Sequence, residues 1–121
     1  MQKIIPFFWF NDKAEEAMNF YTSIFKNSKI QNIKRYPEVP LEGPMKGMEG
    51  KVLTGVFELE GQRFMALDGG PFFKPSGAVS FYEECETQEE VDYYWSELSE
   101  GGDPKAQQCG RLQDKYGFSW Q

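Results

Sequence analysis

Apolar side chains recur at i, i+3, i+4 and i+7 in two places along this chain. Ala17, Phe20, Tyr21 and Ile24 form one such set; Val91, Tyr94, Trp95 and Leu98 form the other. That spacing places each set on one face of a helix. Asp12, with Glu15 three residues on, and Thr87, with Glu90 three residues on, have the capping-box pattern that opens a helix. Gly101-Gly102 stops the second helix. The two aromatic faces are expected to be packing surfaces without chemistry.

Elsewhere the pattern changes to strands. IIPFFWF, Ser28 to Tyr36, Lys51 to Leu67 and AVSFY are rich in Ile, Val, Phe and Thr, and Glu60-Gly61-Gln62 reads as a tight hairpin turn. Asp114-Lys115-Tyr116-Gly117 is a turn leading into Phe118-Ser119-Trp120-Gln121, a strand that alternates large apolar with polar residues. PEVPLEGPMKGMEG, residues 37–50, holds three Pro and three Gly in fourteen residues. It predicts a loop in which Met45 and Met48 can cover something apolar. Asp68-Gly69-Gly70-Pro71 breaks the chain in two.

The halves echo each other. AEEAMNFY (14–21) lies against QEEVDYYW (88–95) at an offset of 74, and EGQRFMAL (60–67) against DKYGFSWQ (114–121) at an offset of 54. The shorter second offset means that the second half lacks about as much chain as the first carries in residues 37–50. Each half reads strand, helix, then about three strands. The prediction is one α+β domain over 1–121, with halves of 1–70 and 71–121, the second cut short.

Composition narrows the function classes. Aromatics make up 17% of 121 residues, 11 of them Phe, so rings must line a core or a cavity. A net charge of −6 argues against nucleic-acid and anionic-membrane partners. No run approaches the roughly 20 apolar residues of a membrane span. MQKIIPFFWF contains Pro6, lacks a small-residue cleavage site, and reads as a first strand. Cys85 and Cys109 read as two reduced thiols in a cytoplasmic protein.

Four phrases in order, FWFNDKAEEAMNFYTSIF, FELEGQRFMALDGGP, CETQEEVDYYWSEL and CGRLQDKYGFSWQ, carry a resemblance that spans nearly the whole chain. They resemble the PhnB-like branch of the vicinal oxygen chelate (glyoxalase/bleomycin-resistance) superfamily. Some members of that branch bear the name 3-demethylubiquinone-9 3-methyltransferase. The resemblance implies two βαβββ modules whose curved sheets form an open barrel around a cavity, in a homodimer, with the chain running on past the final Trp-Gln. S-adenosylmethionine in its common site needs a glycine-rich turn that follows a strand and opens a helix. Gly69-Gly70 follows a strand and Gly101-Gly102 follows a helix, and neither opens a helix, so no cofactor is expected.

Catalytic members of the superfamily hold a divalent ion with His and Glu from the barrel strands. This chain has no His. The matching positions fall at Ile4 to Pro6, Leu67, Ala78 and Gln121, with Phe72 where relatives place a His after the Gly-Gly-Pro turn. Apolar residues and one neutral amide cannot hold a transition ion, so no metal is expected.

Strand alternation predicts an inward set of Phe8, Met65, Leu67, Ser80, Tyr82, Ser119 and Gln121, with Phe81, Phe118 and Trp120 packed beneath a helix. Phe72 and Cys109 complete the candidate ligand-binding residues. Arg111 is close enough in sequence to Cys109 to favour its thiolate, but no His exists to act as a base. Two structural readings fit the inward set: a pocket for a small molecule, or a filled core with a satisfied amide. Two functional readings follow, beside a structural dimer with no ligand. One is a metal-free small-molecule-binding protein; the other is an enzyme acting on a small carbonyl or oxygen-rich substrate polarised by Gln121, Ser80 or Tyr82, with Cys109 as nucleophile.

Overall fold

The structure, a computed structural model, describes residues 2–121. They form two compact units, Met1–Lys74 and Pro75–Gln121.

The first unit runs β1 (Phe7–Phe10), α1 (Ala14–Ile24), β2 (Lys29–Arg35), β3 (Val52–Leu59) and β4 (Gln62–Asp68). Its four strands lie in the order β1-β4-β3-β2. β1 is parallel to β4, while β3 is antiparallel to both β4 and β2. Alternation decides which side chains are inside. Phe57, Leu59, Phe64 and Ala66 are buried beneath α1, whose buried face is Ala14, Ala17, Met18, Tyr21 and Ile24. The predicted Phe20 is half-buried instead, with its ring 5.5 Å from that of Tyr21. The rings of Tyr21 and Phe57 lie nearly parallel at 6.3 Å. Burying each such ring stabilises the fold by roughly 1.5–3 kcal/mol. Gly55 lets α1 approach, because a Cβ there would meet Met18 Sδ at 2.5 Å. The β3–β4 turn is the one anticipated: Glu60 and Gly61 have φ of 53° and 79°, the paired left-handed geometry of a two-residue hairpin turn. Residues 37–50 form the expected loop, with a short 3-10 turn at Gly43–Met45. Met48 is buried in it, whereas Met45 is half exposed.

One helix cap is not formed by the residue the sequence nominates. Thr87 caps its helix as expected, its Oγ1 accepting the Glu90 N–H at 3.2 Å. Asp12 does not cap α1; it has a φ of 149° and pairs with Lys51. The N-terminus of α1 is held from β4, where Asp68 Oδ1 accepts the Ala14 N–H at 2.9 Å. A carboxylate at the end of a strand thus supplies the acceptor that the local sequence was expected to provide.

The second unit runs β5 (Ser80–Phe81), α2 (Gln88–Ser99), β6 (Leu112–Gln113) and β7 (Ser119–Trp120), with sheet order β5-β7-β6. Its connectivity matches that of β1-β4-β3: β5 is parallel to β7, and β6 is antiparallel to it. α1 and α2 begin at Ala14 and Gln88, the same offset of 74 that the sequence echo shows. Among the described residues β2 has no counterpart here, so this half is strand, helix and two strands, one strand short of expectation. The reason is local. Asp103-Pro104 starts a 3-10 turn, with Asp103 Oδ1 accepting the Lys105 N–H at 2.9 Å, and Gln107-Gln108-Cys109-Gly110 lacks apolar alternation. The segment ends in a two-residue turn closed by paired backbone hydrogen bonds between Gln108 and Arg111.

Buried Asp114 organises the remaining hairpin. Oδ1 accepts the Tyr116 and Phe118 N–H groups at 2.9 and 3.1 Å, and Oδ2 accepts Trp120 Nε1–H at 2.9 Å. Both sheets are open. Among the described residues no helix is long and apolar enough to cross a membrane.

Candidate functional site

The missing strand leaves α2 with a narrow sheet to cover. Tyr94 and Leu98 are buried, Trp95 is half-buried, and Val91 stays 43% exposed. Between this helical face and the strands lies a cavity of about 310 Å³. α2 contributes Val91, Tyr94, Trp95 and Leu98; β6 and β7 contribute Leu112 and Trp120. The polar margin is Tyr82, Glu83 and Gln121, and Cys85 and the Cys109-Gly110 turn complete the wall. Four of the lining residues are aromatic: Tyr82, Tyr94, Trp95 and Trp120. A ring-lined space with few polar groups suits a small, largely apolar molecule.

The strands fix how the polar margin is held. Phe81 pairs with Trp120 across β5 and β7, and the two rings are 5.2 Å apart. Gln121 continues that pairing: its N–H donates to Phe81 O at 2.8 Å, and its carbonyl accepts the Glu83 N–H at 2.7 Å. Its side-chain Nε2 donates to Ser80 Oγ at 2.5 Å. Ser119 points to the opposite face from Trp120. It is 2% exposed, and its hydroxyl finds no hydrogen-bond partner among the described residues.

The nine candidate ligand-binding residues therefore separate. Tyr82, Cys109 and Gln121 line the cavity; Ser80 does not, standing in register with Ser119 and accepting from the Gln121 side chain. In the first unit, Met65 and Leu67 are half-buried and stand in register with Phe7 and Trp9, on the sheet face away from α1. Phe8 does not share that face. It pairs with Ala66, is 3% exposed, and packs its ring against Tyr21, Phe57 and Phe64. The β1 register is offset by one residue from the expectation, which moves every β1 side chain to the other face. Phe72 is 66% exposed beyond Gly69-Gly70.

Sequence reasoning assigned Trp95, Tyr94, Leu98 and Trp120 to packing alone. The cavity lies on that helix-facing side of the sheet, while Ser119 belongs to the other face. The signal that could have found it was the shortened second offset, since a helix with a full aromatic face above a depleted sheet cannot be fully covered.

The positions matching the superfamily's metal ligands do not fit a divalent ion. Ile4, Leu67 and Ala78 carry no donor, and the Gln121 amide is engaged with Ser80. Both oxygens of Asp68, the nearest carboxylate in sequence, accept backbone N–H groups, from Ala14 and from Val52 at 3.1 Å. Among the described residues no three His, Cys, Asp or Glu side chains gather as a metal site. Arg111, expected beside Cys109, donates from its guanidinium to Gly77 O.

Two α+β units with open mixed sheets and matching connectivity define a PhnB-like, glyoxalase-type fold. The model of the 3-demethylubiquinone-9 3-methyltransferase family matches residues 2–121, and the chain belongs to that PhnB-like family. Among solved structures, the PhnB protein of Bacillus cereus is 44% identical with a TM-score of 0.82, covering 98% of this chain and 96% of that one. Protein PA1353 of Pseudomonas aeruginosa shares the fold at 20% identity and a TM-score of 0.79, covering 99% and 95%. An Arabidopsis thaliana gene product does so at 16% and 0.58, covering 99% and 96%. No curated protein matches the chain.

Proposed function

We propose that this PhnB-like protein is a metal-free binder of a small, largely apolar aromatic molecule, held in the cavity beneath α2. The observation that carries this reading is the cavity itself, about 310 Å³ and walled by Tyr94, Trp95 and Trp120. That volume is at the lower end of the roughly 300–1,000 Å³ spanned by ligand pockets, which favours one or two fused rings over a large ligand. Tyr82 at the margin supplies a hydroxyl for one polar substituent. The reading includes a homodimer in the cytoplasm; exposed Phe7, Phe72 and Phe73 give the first unit apolar surface for a second copy. Methyl transfer, which the family name suggests, is not part of it: Gly69-Gly70 follows β4 and Gly101-Gly102 follows α2, so neither pair cradles a cofactor at a helix N-terminus.

Thermal-shift and tryptophan-fluorescence titrations with mono- and bicyclic aromatics test the reading, because Trp95 and Trp120 report directly on the cavity. Compounds of this class are expected to raise the melting temperature and quench the fluorescence. Val91→Trp, which places an indole across the cavity from a half-exposed helix position, is expected to abolish both effects while the protein remains folded. Uptake that survives Val91→Trp, or a panel with no binder, would sink the proposal. Light scattering at micromolar concentration checks the dimer.

A further inference from the structure

The cavity beneath α2 lies in the acidic part of the chain. Residues 75–121 hold ten Asp and Glu against three Lys and Arg (3 − 10 = −7), and residues 1–74 balance to +1. α2 itself carries Glu89, Glu90, Asp92 and Glu97 and no basic residue. Among the described residues that line the cavity, Glu83 alone is charged. The strand ladder fixes its side. Glu83 N–H donates to Gln121 O at 2.7 Å and Gln121 N–H to Phe81 O at 2.8 Å, so the β5–β7 pairing runs on past both strands. Alternation then sets Glu83 on the sheet face of Phe81, whose ring lies 5.2 Å from that of cavity-lining Trp120. Arg111, which follows the lining residue Gly110, donates from its guanidinium to Gly77 O. Four aromatic residues, Tyr82, Tyr94, Trp95 and Trp120, thus share the wall with one carboxylate.

From this wall we infer that the cavity takes an organic cation, a quaternary ammonium group borne on an aromatic ring. The inference rests on the binding reading above and adds the charge of the ligand. The face of an aromatic ring carries negative potential and attracts a cation, Trp most strongly. A quaternary ammonium has no N–H group, so a wall with few acceptors leaves none of its groups unsatisfied. A primary ammonium would bury its donors beside a single carboxylate, at a desolvation cost. The methyl groups of the quaternary centre are apolar and suit Val91, Leu98 and Leu112 on the same wall. An anion is disfavoured both by Glu83 and by the ring faces. The acidic surroundings act in the same direction, because a cleft edged by one sign of charge concentrates the opposite ion at its mouth.

The experiment compares 3-hydroxyphenyltrimethylammonium with 3-tert-butylphenol on the full chain, two compounds of one shape that differ in charge. Affinities are measured by titration calorimetry at low and high salt. The cation is expected to bind about tenfold tighter than the phenol at low salt. The preference is expected to narrow at high salt. Glu83→Gln keeps the shape of the side chain and is expected to weaken the cation about fivefold. Glu84, the next residue, is exposed and outside the lining. Glu84→Gln is expected to change the cation's affinity less than about twofold. Val91→Trp is expected to close the cavity to both compounds. Equal affinities, or tighter binding of the phenol, overturn the cation inference and leave the binding reading standing. A preference that both Gln variants reduce equally, or that survives Val91→Trp, assigns the ion to the acidic surface and overturns it as well. If neither compound binds, the cation inference falls, and the binding reading falls with it only when the neutral aromatics also fail.

Discussion

Asp68 on β4 holds the first turn of α1 through Ala14, its Oδ1 accepting the Ala14 N–H at 2.9 Å while Oδ2 accepts the Val52 N–H at 3.1 Å. One carboxylate, 3% exposed, therefore joins a helix N-terminus to the start of β3 from the end of β4. Replacing Asp68 by Ala strands two buried N–H groups, each costing about 1–3 kcal/mol. Urea denaturation is expected to show a loss of about 3 kcal/mol for Asp68→Ala. Asp12→Ala breaks only a surface pair with Lys51 and is expected to lose less than about 1 kcal/mol. A larger loss for Asp12→Ala would restore the local capping box and contradict this geometry.

The glycines after α2 separate steric need from conformational need. Gly102 has Gln113 O only 2.2 Å from where a Cβ would stand, and that oxygen is backbone that cannot turn aside. Gly110 has φ of 75° and nothing within 4 Å of its Cβ position. Gly102→Ala is expected to lose about 3 kcal/mol or more through forced backbone displacement. Gly110→Ala carries only the left-handed penalty of about 1 kcal/mol. Equal losses in chemical denaturation would mean that α2 does not pass β6 as described.

Much of this architecture was legible because its signals are local. The Glu60-Gly61 turn, the α1 and α2 faces and the offset of 74 between the helices depend on residues close in sequence. What was not legible depends on distant partners. The cap of α1 comes from Asp68, 54 residues beyond Ala14. The face of Phe8 is set by its pairing with Ala66 across a parallel ladder, and alternation alone leaves the absolute register free. The cavity was illegible for a related reason. Val91, Tyr94, Trp95 and Leu98 have the pattern of a buried face, yet how much sheet lies beneath them depends on whether residues 102–111 become a strand. Asp103-Pro104 and the Cys109-Gly110 turn decide that they do not.

Ser119 offers a test of the buried face of β7. Ser119 is 2% exposed, and its buried hydroxyl has no hydrogen-bond partner among the described residues. Removing an unsatisfied polar atom of that kind relieves desolvation that nothing offsets. Ser119→Ala is expected to leave stability unchanged or raise it by about 1 kcal/mol. Ser80→Ala, which removes the acceptor of the exposed Gln121 side chain, is expected to change it by less than about 0.5 kcal/mol. A clear loss for Ser119→Ala would show that the hydroxyl has a partner in solution, and would make that face of β7 the next place to look for a ligand.

Two glutamates of the first unit should contribute to acid sensitivity. Arg35 grips Glu15 through two hydrogen bonds, Nη1 to Oε1 at 3.0 Å and Nη2 to Oε2 at 2.9 Å, and these hold the Glu15 carboxyl below its ordinary value of 4.5. Glu49 is held low by hydrogen bonds from backbone N–H groups, its own first and then that of Leu41, which donates to Oε1 at 3.1 Å. A carboxyl whose folded-state value is depressed binds fewer protons folded than unfolded. Its stabilisation is therefore complete above about pH 5 and is lost as pH falls through the lower, folded value. Glu15→Gln/Glu49→Gln is expected to melt below the wild-type protein at pH 7, with the gap closing progressively below about pH 4.5 as the wild-type carboxyls take up protons. Salt should narrow the part of the gap due to Glu15, whose partner lies at the surface. A difference in melting temperature that stays constant from pH 7 to pH 3 would mean that neither carboxylate is held in the folded state as the hydrogen bonds require.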